Sequence, residues 1–429
     1  MQAPFIKKAI LQVPFLTVDE IFDREMPFIA AFSQDPVFRS NIHTWMEFYG
    51  RKQDALPFYQ VDAQWGERLR QGLTLFMGQM RGALQNLFDT STDEELMAMF
   101  PMPGVEPAVN LAFVQYARYT FAKDHPAFGG RFDLQVDPNT GKAFIYEFNG
   151  DTPAMLFESM NLQNLFAVVN EDEEAQLNDM WVKTEERGLV DSSSKVAVVV
   201  NTNWPEDLGT SEAIAQLLEQ SGAQVFLADM TMFQFDSAGD PDRNPFFLTS
   251  VPSTDLTHVH IMLPWEEMVQ SNPQAISRWR EWGDKVRFFE PAWRWFMSHK
   301  KFLTLPELQT YGLARSHANW ADYQLEHVTL IETPSVAEGG YVAKPQLGRQ
   351  SASVVVHRPG QAPVTSRNDN YVDYPVVYQP YKAPGQIEGA NFIACMWMAG
   401  EEAASLAFRE FDGQILDLEN ERVILHELV

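Results

Sequence analysis

Two short segments of this chain carry residue types that handle metal and phosphate. Arg131, Asp133 and Gln135 alternate with Phe132, Leu134 and Val136; after Asp137-Pro138-Asn139-Thr140-Gly141, a second arm alternates Phe144, Tyr146 and Phe148 with Ile145, Glu147 and Asn149. Period-two alternation marks a half-buried strand and the central run is turn chemistry, so the segment reads as a hairpin with an apolar side and a polar side. If odd-numbered residues pair with odd-numbered ones, Asp133, Glu147 and Asn149 share a face with Arg131, whereas a slip of one residue would divide them between faces. Such hard oxygen donors suit Mg²⁺, which takes few protein ligands and leaves the rest to water and phosphate. The competing reading is an exposed cross-strand ion pair worth about 0.2–1 kcal/mol.

A cluster of cations follows in the C-terminal part. Lys300 sits late in a helical stretch after Glu290-Pro291-Ala292-Trp293, and Lys344 lies on a strand that runs into a loop containing Gly348, Arg349, Gln350, Ser351 and Ala352. A small-residue loop can fold its backbone N–H groups over phosphates, and a lysine leading into it can neutralise them. Taken singly, each lysine is an ordinary surface or capping residue. Gln379, on a later strand, could hydrogen-bond the edge of an adenine.

Positioning these groups needs several elements. Residues 1 to about 125 read mostly as aromatic-rich amphipathic helices, among them Ala63 to Phe88 and Pro107 to Phe121. Behind the hairpin, Thr152 as N-cap and Pro153 at the first helical position open a helix to about Val169. An α/β region comes next: strand Lys195 to Asn201, helix Thr210 to Gln220 stopped by Gly222, strand Gln224 to Met230 and strand His258 to Leu263. A helical stretch is expected from Val286, then strands at Tyr341 to Pro345, Ser353 to His357 and Tyr374 to Tyr381, and a hairpin within Phe392 to Glu410 turning at Ala399-Gly400-Glu401. Asp236 to Asn244 reads as a long polar loop, and no internal repeat is visible.

Composition restricts the classes. With 429 residues, 45% hydrophobic and 21% charged, the chain can bury a large core in two or three lobes. A net charge of -26 disfavours nucleic acid and anionic membrane as partners. No apolar run reaches about 18 residues, and the start shows no cleavage signal, so a cytoplasmic location is expected. Cys395 is the one cysteine, in an apolar stretch that reads as buried. His258-x-His260 lacks nearby cysteines and reads as buried strand rather than a zinc site. No phosphate-binding Gly-x-x-x-x-Gly-Lys, dinucleotide fingerprint or serine-hydrolase elbow is present.

The runs Gly130-Arg131-Phe132-Asp133, Tyr146 to Pro153, Glu206 to Thr210, Leu263-Pro264-Trp265-Glu266, Glu290 to Trp293, Ser298-His299-Lys300, Lys344 to Arg349 and Arg409-Glu410 resemble the synthetase domain of glutathionylspermidine synthase and its stand-alone relatives. The resemblance implies an α/β (α+β) chain of ATP-grasp architecture. It would comprise a helical N-terminal region (1–125), the metal-binding hairpin and following helices (126–190), a pre-ATP-grasp α/β domain (191–285) and a nucleotide-binding and lid region (286–429). It implies ATP-dependent joining of a carboxylate, small or peptide-like, to an amine such as a polyamine through an acyl phosphate. Asp133, Glu147 and Asn149 would hold two Mg²⁺ ions, Arg131 would steady the acyl phosphate, Lys300 and Lys344 would contact ATP, Gly348 to Ala352 would close over it and Gln379 would face adenine. The bifunctional relatives' amidase domain is not in this sequence, so bond formation without hydrolysis is expected. Gly150, Ala154, Met155 and His299 depart from the relatives' usual residues, which leaves the acid and the amine open. The alternative is an ATP-binding regulatory or partner-binding module that kept the fold.

Overall fold

Both ends of the chain meet in one sheet. In the computed structural model, which describes residues 4–12, 18–32, 56–236, 243–252, 254–309, 323, 325–326, 339–416 and 420–429, β1 (Ile6–Leu11) pairs with β2 (Leu56–Val61), and β2 runs parallel to β19 (Glu421–Leu428). The sheet continues antiparallel through β18 (Glu402–Phe411), β17 (Ala390–Ala399), β3 (Gly129–Val136) and β4 (Ala143–Asn149) and ends on a two-residue strand parallel to β4, β11 (Leu325–Glu326), with β16 (Gly385–Ile387) beside β17. The first 125 residues were expected to be mostly helical. They contribute two strands as well, each too short and too weakly alternating to stand out.

The long helices lie near the expected bounds, at Ala63–Thr90 and Pro107–Ala122. Asp62 caps the first by accepting from the Trp65 amide at 2.7 Å, and Leu69, Leu73, Phe76, Met77 and Met80 form its buried stripe. Pro107 supplies the preset φ at the start of the second.

A second sheet is all parallel, in the order β10 (Arg287–Phe289), β9 (His258–Ile261), β5 (Lys195–Val200), β6 (Gln224–Asp229). Its crossover helix spans Pro205–Gln220, five residues earlier than expected because Pro205 opens it, and Gly222 at φ 101° follows its end. The stretch from Val286 is not helical at first. Arg287–Phe289 forms the sheet's edge strand, and a helix begins only at Ala292. A third sheet, β14 (Val364–Thr365), β13 (Val355–His357), β12 (Tyr341–Pro345), β15 (Val376–Pro380), is antiparallel and carries Lys344 and Gln379. β7 (Phe233–Phe235) and β8 (Phe246–Leu248) form a small ribbon. Most of the expected polar loop, at 237–242, lies outside the described residues. Among the described residues no helix is long and apolar enough to cross a membrane.

His258 and His260 sit on the buried strand β9, as expected. His260 is 2% exposed, its Nδ1 makes no hydrogen bond among the described residues, and burial pushes its pKa down to about 3. Below pH 6.5 the unfolded chain therefore binds a proton that the folded chain refuses, so this ring's contribution to stability holds above pH 6.5 and is lost as pH falls towards 3. Relative to His260→Phe, the natural protein should lose up to about 1.4 kcal/mol per pH unit over that window, read as the difference in urea-unfolding free energy. A difference that does not change with pH would show that the ring is not buried neutral.

Candidate functional site

The hairpin forms in the register that gathers its polar residues. Arg131 pairs with Asn149 and Asp133 with Glu147. The alternation then breaks, because a bulge sets Leu134 opposite Ile145 and leaves Tyr146 as the extra residue. Ile145 was expected on the polar side and Tyr146 beside Phe148. Instead Ile145 joins Leu134 and Phe148 in the core, and Tyr146 lines the cleft with Glu147. Re-aiming one side chain is what a bulge does.

Behind the hairpin the Glu290-Pro291-Ala292-Trp293 run serves as support. The Gly129 amide donates to Glu290 Oε1 at 2.7 Å, while Arg294 donates to the Gly129 and Gly400 carbonyls at 3.0 and 2.8 Å and lies 4.9 Å over the Phe148 ring. Gly150 donates its amide to Ser298 Oγ at 2.8 Å, and a Cβ there would meet Phe148 at 2.5 Å. The absence of a side chain at this departure from the relatives is thus a packing requirement. The expected helix after Thr152 starts only at Leu156, because Met155 adopts φ 75° and turns into an apolar cluster with Ile393, Cys395, Ala407 and Phe411. His299, another departure, packs against Phe100 and Trp295, and its Nδ1 accepts the Lys301 amide at 3.3 Å.

All twelve residues singled out from sequence line one cleft of about 490 Å³, bounded by the hairpin, the small antiparallel sheet and the first turn of the Pro205–Gln220 helix. Arg131 and Asp133, each 6% exposed, form a two-point ion pair at 2.6 and 2.9 Å, and Arg131 Nη1 donates to the Ala154 carbonyl at 2.7 Å. Asn149 Nδ2 reaches Asp133 at 3.5 Å. Glu147 lies 3.3 Å from Lys300 Nζ. Burial alone would raise the Glu147 carboxyl, but Lys300, Lys344 and Arg131 outweigh it and hold its pKa at about 2. Lys344 Nζ donates to Gln379 Oε1 at 3.0 Å and to the Tyr146 carbonyl at 3.3 Å, above the Tyr146 ring. Burial brings its pKa down to about 8, with Lys300 acting in the same direction and Glu147 against it. Gln379 Nε2 donates in turn to the Ile145 carbonyl at 3.1 Å.

The loop closes on itself through Ala352 N–H to the Arg349 carbonyl at 2.9 Å, with Gln350 and Ser351 at φ 51° and 53°, and Lys300 Nζ donates to the Gly348 carbonyl at 2.7 Å. Sequence reasoning gave no role to Asp151 and Glu266, which both pair with Arg349, nor to Glu206 and Asp207 on the opposite wall. Asp207 is pushed up to about 7 by burial, then by Glu206, against Arg349. These residues all fall within the family-like runs, but their partners lie far away in sequence.

Among the described residues no cluster of three His, Cys, Asp or Glu side chains could hold a metal alone. The hairpin offers two carboxylates and an amide on adjacent positions. That donor set fits Mg²⁺ arriving with a polyphosphate that supplies further oxygens, and does not fit a closed protein cage.

The profile of the glutathionylspermidine synthase preATP-grasp family matches residues 94–423, and the chain belongs to that family. Among solved structures, a chain assigned as a γ-glutamylcysteine synthetase from Methylobacillus flagellatus KT is 12% identical over 74% of this chain and 84% of that one, at TM-score 0.40. A glutathione synthetase-like effector from Globodera pallida, in its apo form, is 11% identical over 94% and 99%, at TM-score 0.47. Both scores are below one half, so the reading of the site rests on this chain's own residues.

Gly130→Ala tests the support of the hairpin, since the new Cβ would lie 2.6 Å from Phe148 and 3.2 Å from Arg294 Nη2. Overpacking should cost about 1–3 kcal/mol, measured as a lower denaturant midpoint at unchanged slope. An unshifted midpoint would show that the hairpin and the Arg294 helix are not tightly packed.

Proposed function

We propose that the protein is an ATP-dependent carbon–nitrogen ligase that joins a carboxylate to an amine through an acyl phosphate. The observation that carries this reading is one of charge. In a chain of net charge -26, Lys300, Lys344 and Arg131 converge in this cleft on the Glu147 carboxylate, which they hold charged despite its burial. Lys300, on a separate element, lies 3.3 Å from the hairpin's Glu147, an arrangement suited to a polyanion with its counter-metal.

On this reading Asp133, Glu147 and Asn149 hold Mg²⁺, two ions in the full complex, and Lys300 and Lys344 neutralise the nucleotide phosphates. Gly348, Arg349, Gln350, Ser351 and Ala352 cover them, and Gln379 sits at the adenine end, where its contact with Lys344 also fixes that lysine. Mg-ATP supplies the phosphoryl group that activates the acid. Arg131 stands beside the metal-binding face and meets the negative charge that grows as the acid is phosphorylated and the amine adds. Glu206 and Asp207, next to the half-exposed Trp204, give a cationic amine a place to bind, and Asp207, near pH 7 in its titration, can take the proton that the amine sheds. A cleft walled on three sides keeps water from the acyl phosphate.

Calorimetry with Mg-ATP tests the central claim. Binding is expected, and at about a hundred times the dissociation constant it should add roughly 2.7 kcal/mol of stability. Glu147→Gln should remove the Mg²⁺ dependence with the fold retained. No heat and no thermal shift at millimolar Mg-ATP would end the reading.

Lys344 gives a separate signature. A phosphate next to it raises its pKa from about 8, so binding at pH 8 to 9 should take up protons and affinity should fall as pH rises through that range. Titrations in two buffers of different ionisation enthalpy read the uptake, and Lys344→Met should remove it. Equal apparent heats in both buffers would place Lys344 away from the phosphates.

A further inference from the structure

The loop that would cover the phosphates is tied by one guanidinium to the segment that follows the hairpin and to the helix Trp265–Ser271. Arg349 Nη1 and Nη2 reach the two carboxylate oxygens of Asp151 at 3.2 and 2.8 Å, and Nη2 also reaches Glu266 Oε1 at 3.2 Å. Glu266 is fixed in turn by Trp295, whose indole N–H donates to Oε2 at 2.8 Å. Asp151 is 3% and Glu266 1% exposed. The three residues belong to separate units. Asp151 follows the end of β4, Glu266 lies in the helix Trp265–Ser271 behind β9, and Arg349 lies between β12 and β13.

We propose that Asp151 and Glu266 are positioning residues that hold Arg349, and with it the loop Gly348–Ala352, closed over the cleft before any nucleotide arrives. This assignment rests on the ligase reading for its purpose but not for its test. Two buried carboxylates share one guanidinium, so withdrawing Arg349 would leave two like charges facing each other with little water to screen them. The closed loop is then the ground state, and opening costs the pairing. Arg349 acts by tethering the loop, since both its terminal nitrogens are engaged, and contact with phosphate falls to Lys300 and Lys344. Nucleotide must enter and leave through openings of this latch, so weakening it should change the rates of exchange more than the chemistry.

Hydrogen exchange on the nucleotide-free protein tests the latch directly. In Asp151→Asn the amides of residues 346–353 should exchange about tenfold faster or more than in the natural protein, with a smaller rise in Glu266→Gln and β5 and β9 unchanged. Arg349→Gln should reproduce the effect, and adding Glu266→Gln to it should bring no further increase, because the same contact is already gone. Loop exchange at the natural rate in both carboxylate variants would overturn the proposal. So would a rise spread evenly over β5, β6 and β9, which would make the triad a structural ion pair. No nucleotide is involved, so this result is independent of whether Mg-ATP binds.

Discussion

The cleft depends on charges that cannot be buried singly. Arg131 and Asp133 are both nearly inaccessible, and each is acceptable only because the other neutralises it at two points. Removing one partner of such a pair leaves an uncompensated buried charge, a loss of about 3–5 kcal/mol. The same constraint recurs in Glu147 with Lys300, and in Arg349 with Asp151 and Glu266. The walls of the cleft are therefore held together by the groups that a charged ligand would meet. A polyphosphate with its metal would enter a site where Arg131, Glu147, Lys300 and Arg349 already have partners, and binding there becomes an exchange of partners.

The acidic surface and the cationic cleft are compatible because of range. Exposed charges are screened beyond about 8 Å at physiological ionic strength, whereas partly buried pairs are screened far less. A net charge of -26 thus weakens distant attraction of an anion without abolishing a local site. It also draws cations towards the molecule, which suits the acidic wall formed by Glu206 and Asp207.

Rigidity comes from behind the hairpin. Arg294 is fully buried, holds the carbonyls at both glycines 129 and 400, and covers the Phe148 ring. Phe148 in turn crowds Gly130 and Gly150 so closely that neither position has room for a Cβ. The polar face is presented by a strand whose other face is packed in place, which is how a site keeps its geometry while its loops move.

Local sequence determined the hairpin, the two long helices, the parallel strands and which oxygens share the hairpin's polar face, because period-two and period-3.6 patterns and turn residues act over neighbouring positions. It also made the family legible, since the chemistry-bearing runs are contiguous. The bulge at Tyr146, the left-handed Met155 that delays the following helix, and the edge strand at Arg287–Phe289 were not legible in this way. Each is decided by what packs against it rather than by its own residues. Lys300 and Lys344 looked like any surface lysines in isolation, and Asp151 and Glu266 like parts of motifs without a role. Their partners lie up to 198 residues away, and only the folded chain brings those groups close enough, and dry enough, for pairing to matter.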